Sequence, residues 1–150
     1  MDKTNLAGFT LVEMMVTVTI VGILTAIAVP NYIEYVRNGK RADAKAALTS
    51  FANAMEVWKM QNGNSYSGAG TPSDTDGAPK ATVFPNKAPL SGGTKTYDLK
   101  VTVTAADATT TPPTPQGYVV KAIPVDSTDA CGTLTLSNLG ATTAATTGCW

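Results

Sequence analysis

The chain has 150 residues, eleven basic and eleven acidic side chains, no histidine and two cysteines. Its length allows one domain with a modest core. Its zero net charge excludes a whole-protein basic field for nucleic acid. The lack of histidine removes both the commonest general base and the commonest metal ligand.

Residues 1–8, MDKTNLAG, are short and polar. Residues 9–29, FTLVEMMVTVTIVGILTAIAV, then carry a single charge, Glu13. As a helix this run rises roughly 30 Å, the thickness of a bilayer's hydrocarbon core. A helix of a small soluble domain is seldom apolar on every face over such a length, so the segment is expected to enter a membrane. It is not an ordinary secretory signal, which places a small-residue cleavage site after its apolar run. Here Ala7-Gly8 precedes the run. A carboxylate in hydrocarbon is expensive and marks Glu13 as a functional candidate. The plain alternative is a side chain near the helix end that reaches the headgroups. Gly22 and Pro30 bracket a stretch weakened by a glycine's entropy and a proline's missing N–H.

Gly8-Phe9-Thr10-Leu11-Val12-Glu13, followed by about twenty apolar residues and by Gly22, Pro30 and Asn31-Tyr32, resembles the class III leader and first helix of type IV pilins and pseudopilins. The resemblance is strong over roughly the first 60 residues. Ala7 stands where many such leaders have a basic residue, and Lys3 is the leader's only one. The resemblance implies that prepilin peptidase cuts between Gly8 and Phe9 and methylates the new amine of Phe9. It implies that Glu13 pairs with that amine on a neighbouring subunit. It also implies that the stretch from Gly22 to Pro30 loosens during packing into a fibre. The expected fold is α+β: a long N-terminal helix on a small antiparallel sheet, the pilin fold. Its expected divisions are a cleaved leader at 1–8, a membrane and fibre-core helix at 9–30, an amphipathic helix at 31–62, and a loop, sheet and C-terminal region at 63–150.

Beyond Pro30 the pattern is amphipathic. Leu48, Phe51, Met55 and Trp58 form one helical stripe, which Ala44 and Ala47 extend. Arg37, Arg41 and Lys45 recur every four residues on another face, expected to be solvated, with subunit or lipid headgroup contacts next and DNA a minor reading. Asn62-Gly63 is a stop signal, so one helix is expected from about Phe9 to about Gln61. Arg37, Lys40, Arg41 and Lys45 outnumber Lys3 across the apolar run, which by the positive-inside rule puts the C-terminal side in the cytoplasm. The leader resemblance and the cysteines put it outside, and that reading is preferred.

Residues 63–95 read as a long loop with a short strand or turn near residues 82–84, the segment that in pilins forms a variable surface. Residues 96–104 (TYDLKVTVT) alternate as a half-buried strand, with Tyr97, Leu99, Val101 and Val103 inward. Residues 117–125 (GYVVKAIPV) and 133–137 (TLTLS) give two more. Three successive strands favour an antiparallel sheet, and one helix on it makes a two-layer head. Cys131 and Cys149, with 17 residues between them, match neither zinc nor CxxC spacing. They suit one disulfide closing a terminal loop in an oxidising compartment; two free thiols in a cytosolic protein is the other reading. The tail CGTLTLSNLG…CW is similar to those of minor pilins of the PilE kind. Thr/Pro-rich residues 109–115 and Thr-rich residues 142–147 read as polar surface loops, with O-linked sugar a weaker alternative.

No catalytic constellation, phosphate loop or metal cluster is visible, so no enzyme activity, cofactor or metal is expected. Asp74, Asp76, Asp126 and Asp129 are expected as solvated loop acids; calcium at the last two lacks a loop of known spacing. The expected function is a structural subunit of a type IV pilus, more a minor pilin than a major one, supporting assembly, adhesion, twitching motility or DNA uptake. A type II secretion pseudopilin is the alternative within the machinery, and a membrane-anchored DNA-binding module comes from another class. The expected partners are prepilin peptidase, other pilin subunits, the inner membrane before assembly and the pilus assembly platform, with DNA a weak candidate. The expected location is the inner membrane with the head in the periplasm, then the extracellular fibre.

Overall fold

The computed structural model describes residues 9–107, 109 and 115–150; the leader and most of the Thr/Pro-rich segment lie outside them. Helix α1 spans Leu11–Gln61 and includes Pro30. Thr10 starts it: the Thr10 hydroxyl accepts the Glu13 amide N–H at 3.2 Å, which is half of a capping box. Near the other end, the amide of Asn64, at φ 63°, donates back to the Lys59 carbonyl at 2.9 Å, a left-handed stop of the usual kind.

The chain divides into two compact units, Met1–Asn38 and Gly39–Trp150. In the first, Leu11–Tyr35 are all exposed, and α1 is long and apolar enough there to cross a membrane. Three hydroxyls in this stretch are satisfied by the helix itself. Those of Thr17, Thr19 and Thr25 donate to the carbonyls of Glu13, Met15 and Val21 at 2.7, 2.7 and 2.9 Å. Such back-bonding makes threonine tolerable where no water is available.

The second unit is a two-layer α+β head. Its main sheet has the order β3-β4-β5-β6-β7, with β3 at Lys87–Ala88, β4 at Tyr97–Thr104, β5 at Gly117–Pro124, β6 at Leu134–Ser137 and β7 at Thr142–Thr143. All its pairings are antiparallel. Strands β1 (Gly70–Thr71) and β2 (Ala78–Pro79) form a separate small hairpin. Ala44, Ala47, Leu48, Phe51 and Met55 of α1 share one core with Tyr97, Leu99, Val101, Val120, Ala122 and Leu134 of the sheet, and Trp58 is partly buried against it. The helical stripe and the strand alternation therefore meet as expected.

The segment 63–95 departs from expectation. The short strand or turn expected near residues 82–84 is a turn at residues 81–83, but β1, β2 and β3 lie in what reads as loop. The segment covers the free edge of β4. The amides of Leu99, Val101 and Val103 donate to the carbonyls of Asn86, Gly77 and Asp74 at 2.9, 2.9 and 2.7 Å, so an edge that would otherwise invite another strand is occupied. Two glycines allow this course. A Cβ on Gly77 would lie 2.0 Å from the Ser73 carbonyl oxygen, and one on Gly70 would lie 2.3 Å from it. Two-residue strands are too short for alternation to reveal, which is why sequence pattern misses them, β7 included.

Candidate functional site

In the Met1–Asn38 unit, Glu13 occupies the third position of α1 after its cap. A negative charge there is favoured by the helix dipole, so Glu13 has a local reason to exist that its burial cost alone does not suggest. The T-x-x-E spacing of Thr10 and Glu13 is the signal that would have found it. Phe9 is exposed beside it. Gly8 lies outside the described residues. Gly22 has no atom within 4 Å of a built Cβ, and α1 passes through both Gly22 and Pro30. No packing among the described residues therefore requires a glycine at position 22.

In the head, Cys131 and Cys149 form a disulfide with Cα atoms 5.7 Å apart. It closes a knot of polar contacts built around Asp129. The Arg41 guanidinium, from the first turn of α1 in this unit, grips one carboxylate oxygen through Nε at 3.0 Å and Nη2 at 2.6 Å. The Cys131 amide donates to the same oxygen at 3.0 Å, and the Tyr97 hydroxyl donates to the other at 2.8 Å. Burial pushes the Asp129 carboxyl up, but the hydrogen bonds from Arg41, Cys131 and Tyr97 and the Arg41 charge outweigh it, leaving Asp129 below the usual carboxylate range. Burial, then the bond to Asp129, pushes the Tyr97 phenol far up. The tail is tied further by the Ala145 amide to the Cys131 carbonyl at 2.9 Å and by the Thr146 hydroxyl to the Ala130 carbonyl at 2.6 Å.

These contacts correct two expectations. Arg41 is not part of a solvated basic face; its side chain is 12% exposed and spent on Asp129. Lys45 lies 5.9 Å from the centre of the Trp150 ring, a cation–π distance. Nor are the four loop acids simply solvated. The Asp74 carboxylate accepts the amides of Gly68 and Gly70 at 2.7 and 3.0 Å, Asp126 accepts the Thr128 amide at 3.0 Å, and Asp76 pairs with Lys121 at 2.5 Å. Among the described residues no group of three or more acidic or thiol side chains is arranged to hold a metal.

The outer face of the sheet carries the other concentration of charge. Lys100 of β4 sits directly opposite Lys121 of β5, a like-charge pair that disfavours the strand pairing. Asp76 relieves it in part, and the hydrogen bond and charge of Lys121 hold its carboxyl below the usual range. Lys87 of β3 pairs in register with Asp98, which also receives Lys95 at 2.9 Å. Four lysines and two aspartates thus share this region, with Thr102 and Thr135 beside them in the register. Strand alternation puts Lys100 and Lys121 outward, but only the pairing register reveals that they face each other.

Comparison with known proteins agrees with the family resemblance and the leader. A family model described as "Type IV minor pilin ComP, DNA uptake sequence receptor" matches residues 30–135, about seven-tenths of the chain. Another, described as "Prokaryotic N-terminal methylation motif", matches residues 3–29. Among individual proteins, the type IV major pilin protein PilA of Myxococcus xanthus is 45% identical over 49 residues, 33% of this chain and 22% of that protein. The type II secretion system core protein G of Pseudomonas aeruginosa is 37% identical over 62 residues, 41% of this chain and 44% of that one. The type IV major pilin protein PilE1 of Neisseria gonorrhoeae is 36% identical over 77 residues, 47% of this chain and 46% of that protein. The chain spans less than half the length of each of these curated relatives. A solved type IV pilin from Shewanella oneidensis aligns at 26% identity and a TM-score of 0.44, covering 75% of this chain and 96% of that one. The chain belongs to the type IV pilin family, which is a family of structural subunits, and within it to the group of the type IV minor pilin ComP.

Proposed function

We propose that the chain is a minor subunit of a type IV pilus that binds DNA through the outer face of its head sheet, and that it is not an enzyme. The observation that carries this reading is the Lys100–Lys121 pair. Like charges set opposite each other weaken a sheet, and a polyanion is the ligand that repays them. Membership of the ComP group supports the same partner, since that family is described as a DNA uptake sequence receptor. Phosphate contacts of this kind position a duplex without reading its sequence.

The supporting machinery follows from the leader. Prepilin peptidase cuts between Gly8 and Phe9 and methylates the Phe9 amine. The apolar part of α1 holds the subunit in the inner membrane with the head on the periplasmic side, where the disulfide is stable. Passage through the assembly platform brings Glu13 against the Phe9 amine of a neighbouring subunit, and the stretch between Gly22 and Pro30 adjusts to the packing. The working divisions are then 1–8, 9–30, 31–62 and 63–150. A pseudopilin role is supported by the match to core protein G; the ComP match, which runs on to residue 135, favours the pilus. Adhesion or twitching motility would be a property of the assembled fibre.

The test is duplex binding by the full chain across a salt series. Binding should fall linearly with log salt, and the Lys100→Gln/Lys121→Gln variant should lower the slope by about 2, near 0.9 for each phosphate no longer neutralised. Salt-insensitive binding, or a variant indistinguishable from the parent, would refute the assignment of this face.

A further inference from the structure

We propose that Asp76 is a built-in stand-in for a DNA phosphate: it holds Lys121 while the head is free, and a duplex must displace it to engage the lysine pair, so the face opens to a polyanion and stays closed to single anions. The proposal rests on the reading that the outer face of the head sheet binds DNA, and adds what decides which anions that face admits.

Asp76 does not belong to the sheet whose lysine it holds. It lies in the segment that covers the edge of β4, fixed on either side where the Asp74 and Gly77 carbonyls accept the Val103 and Val101 amides. The Asp76 amide donates to the Thr102 hydroxyl at 3.2 Å. Thr102 alternates outward between Val101 and Val103, so this bond draws Asp76 onto the outer face of β4. From there its carboxylate crosses to Lys121 of β5 at 2.5 Å, directly beside Lys100, which pairs in register with Lys121. The backbone of Asp76 has φ 50°, in the left-handed region where glycine is the default and other residues are disfavoured. A segment that needed only a turn at this position would be served better by glycine. This one carries a carboxylate there, and aims it at the lysine pair.

The strength of this contact suits exchange. The Asp76 side chain is 54% exposed and that of Lys121 25%, and an ion pair so open to water holds weakly. Its advantage is the tether, which presents the carboxylate to Lys121 at an effective concentration on the order of millimolar. A lone phosphate below that level competes poorly. A duplex carries a phosphate about every 1.7 Å of its axis and meets several groups in one encounter. The register sets Lys100, Lys121, Thr135 and Thr143 in a single row across four strands, and departure of Asp76 adds the Thr102 hydroxyl beside that row. Displacement therefore exchanges one weak pair for several phosphate contacts, a gain that no single anion matches.

The experiment is NMR of the full chain in detergent, isotope-labelled at lysine and aspartate, titrated with a short DNA duplex and separately with inorganic phosphate at the same total phosphate concentration. The Lys121 ammonium and Asp76 carboxyl signals report the pair. Saturating duplex should break it and move the Asp76 carboxyl toward the position of a free carboxylate, while inorganic phosphate should leave it intact. Asp76→Asn and Asp76→Gly both suit the left-handed backbone, and each should tighten duplex binding roughly two- to fivefold, the range of an exposed ion pair. Asp98→Asn removes an equal charge from the same region, one bonded to Lys95 and not to Lys121, and should gain less than half as much. An Asp76–Lys121 pair that survives in the duplex-saturated chain, a pair broken equally well by inorganic phosphate, or an Asp98→Asn variant that gains as much as Asp76→Asn would overturn the gate. Absence of duplex binding, or binding that leaves the Lys100 and Lys121 signals unmoved, would overturn the DNA reading of this face, and the gate with it.

Discussion

Replacing Asp129 by asparagine tests what holds α1 to the disulfide-closed tail. The substitution keeps the shape and one carbonyl acceptor but removes the charge that Arg41 grips at 2.6 Å. A hydrogen bond to a charged group contributes about 1.5–3 kcal/mol, and breaking a buried ion pair on one side costs about 3–5 kcal/mol. Arg41 retains 12% exposure and can turn partly toward water, so the cost falls below the buried-pair range and within that of the charged hydrogen bond, about 2–3 kcal/mol. For a head the size of Gly39–Trp150 this lowers the melting temperature by roughly 8–12 °C. The assay is thermal unfolding of the full chain in detergent, followed by near-UV dichroism. The pH dependence supplies the sign. Because the folded carboxyl lies below its ordinary range, its contribution is present above the unfolded value of about 3.9 and is lost as the pH falls through the folded one. The gap between parent and Asp129→Asn should be full at pH 7 and should close as the solution is taken below about pH 4. A gap under about 2 °C at neutral pH, or one that stays constant down to pH 2, would refute the claim that the charge matters.

Three further outcomes are expected. Gly77→Ala should destabilise the head severely and expose the β4 edge to aggregation, because the new Cβ meets backbone oxygen at 2.0 Å; Gly39→Ala, whose Cβ meets nothing within 4 Å, should instead stabilise by up to about 1 kcal/mol, and both are read by chemical denaturation and light scattering. Cys131→Ser/Cys149→Ser should cost about 3 kcal/mol by the loop-closure estimate, and hydrogen exchange should rise first in residues 142–150. Glu13→Gln preserves a hydrogen-bonding group at the helix start but not the charge, so if Glu13 acts by pairing with a neighbour's amine, both Glu13→Gln and Glu13→Ala should reach the membrane and fail to enter fibres; a glutamine variant that assembles normally would leave capping as the role of this residue.

The long elements were legible because their periods were long. Residues 44–58 repeat the helical stripe often enough, and 97–104 alternate often enough, that only one burial pattern satisfies each. The leader was legible because Gly8, Phe9 and Glu13 stand at fixed spacing before an apolar run. What escaped has a common physical origin. Strands of two residues carry no period, and here each is defined by its partner: β1 and β2 by each other, β3 by β4 and β7 by β6. The fate of Arg41 was equally hidden, since its partner lies 88 residues away and nothing in a four-residue basic repeat distinguishes a solvated arginine from a paired one.

The balance of eleven charges against eleven excluded a global field and left local ones open, and the fold distributes the charges unevenly. Arg41 is consumed by Asp129 and Lys45 faces Trp150, so the basic repeat of α1 is largely occupied within the head. Lys100 and Lys121 receive one acid, Asp76, which is half exposed and can be displaced by a stronger polyanion. A pair of this kind is costly to the folded head alone, and the proposed DNA reading gives it a use in a complex. For that reason, relieving the repulsion should separate the two roles: Lys100→Glu, which turns a repelling pair into an attracting one, should raise head stability by about 0.2–1 kcal/mol while weakening DNA binding. A variant that becomes more stable with its DNA affinity intact would show that the opposed lysines are a tolerated accident of the sheet and not its binding face.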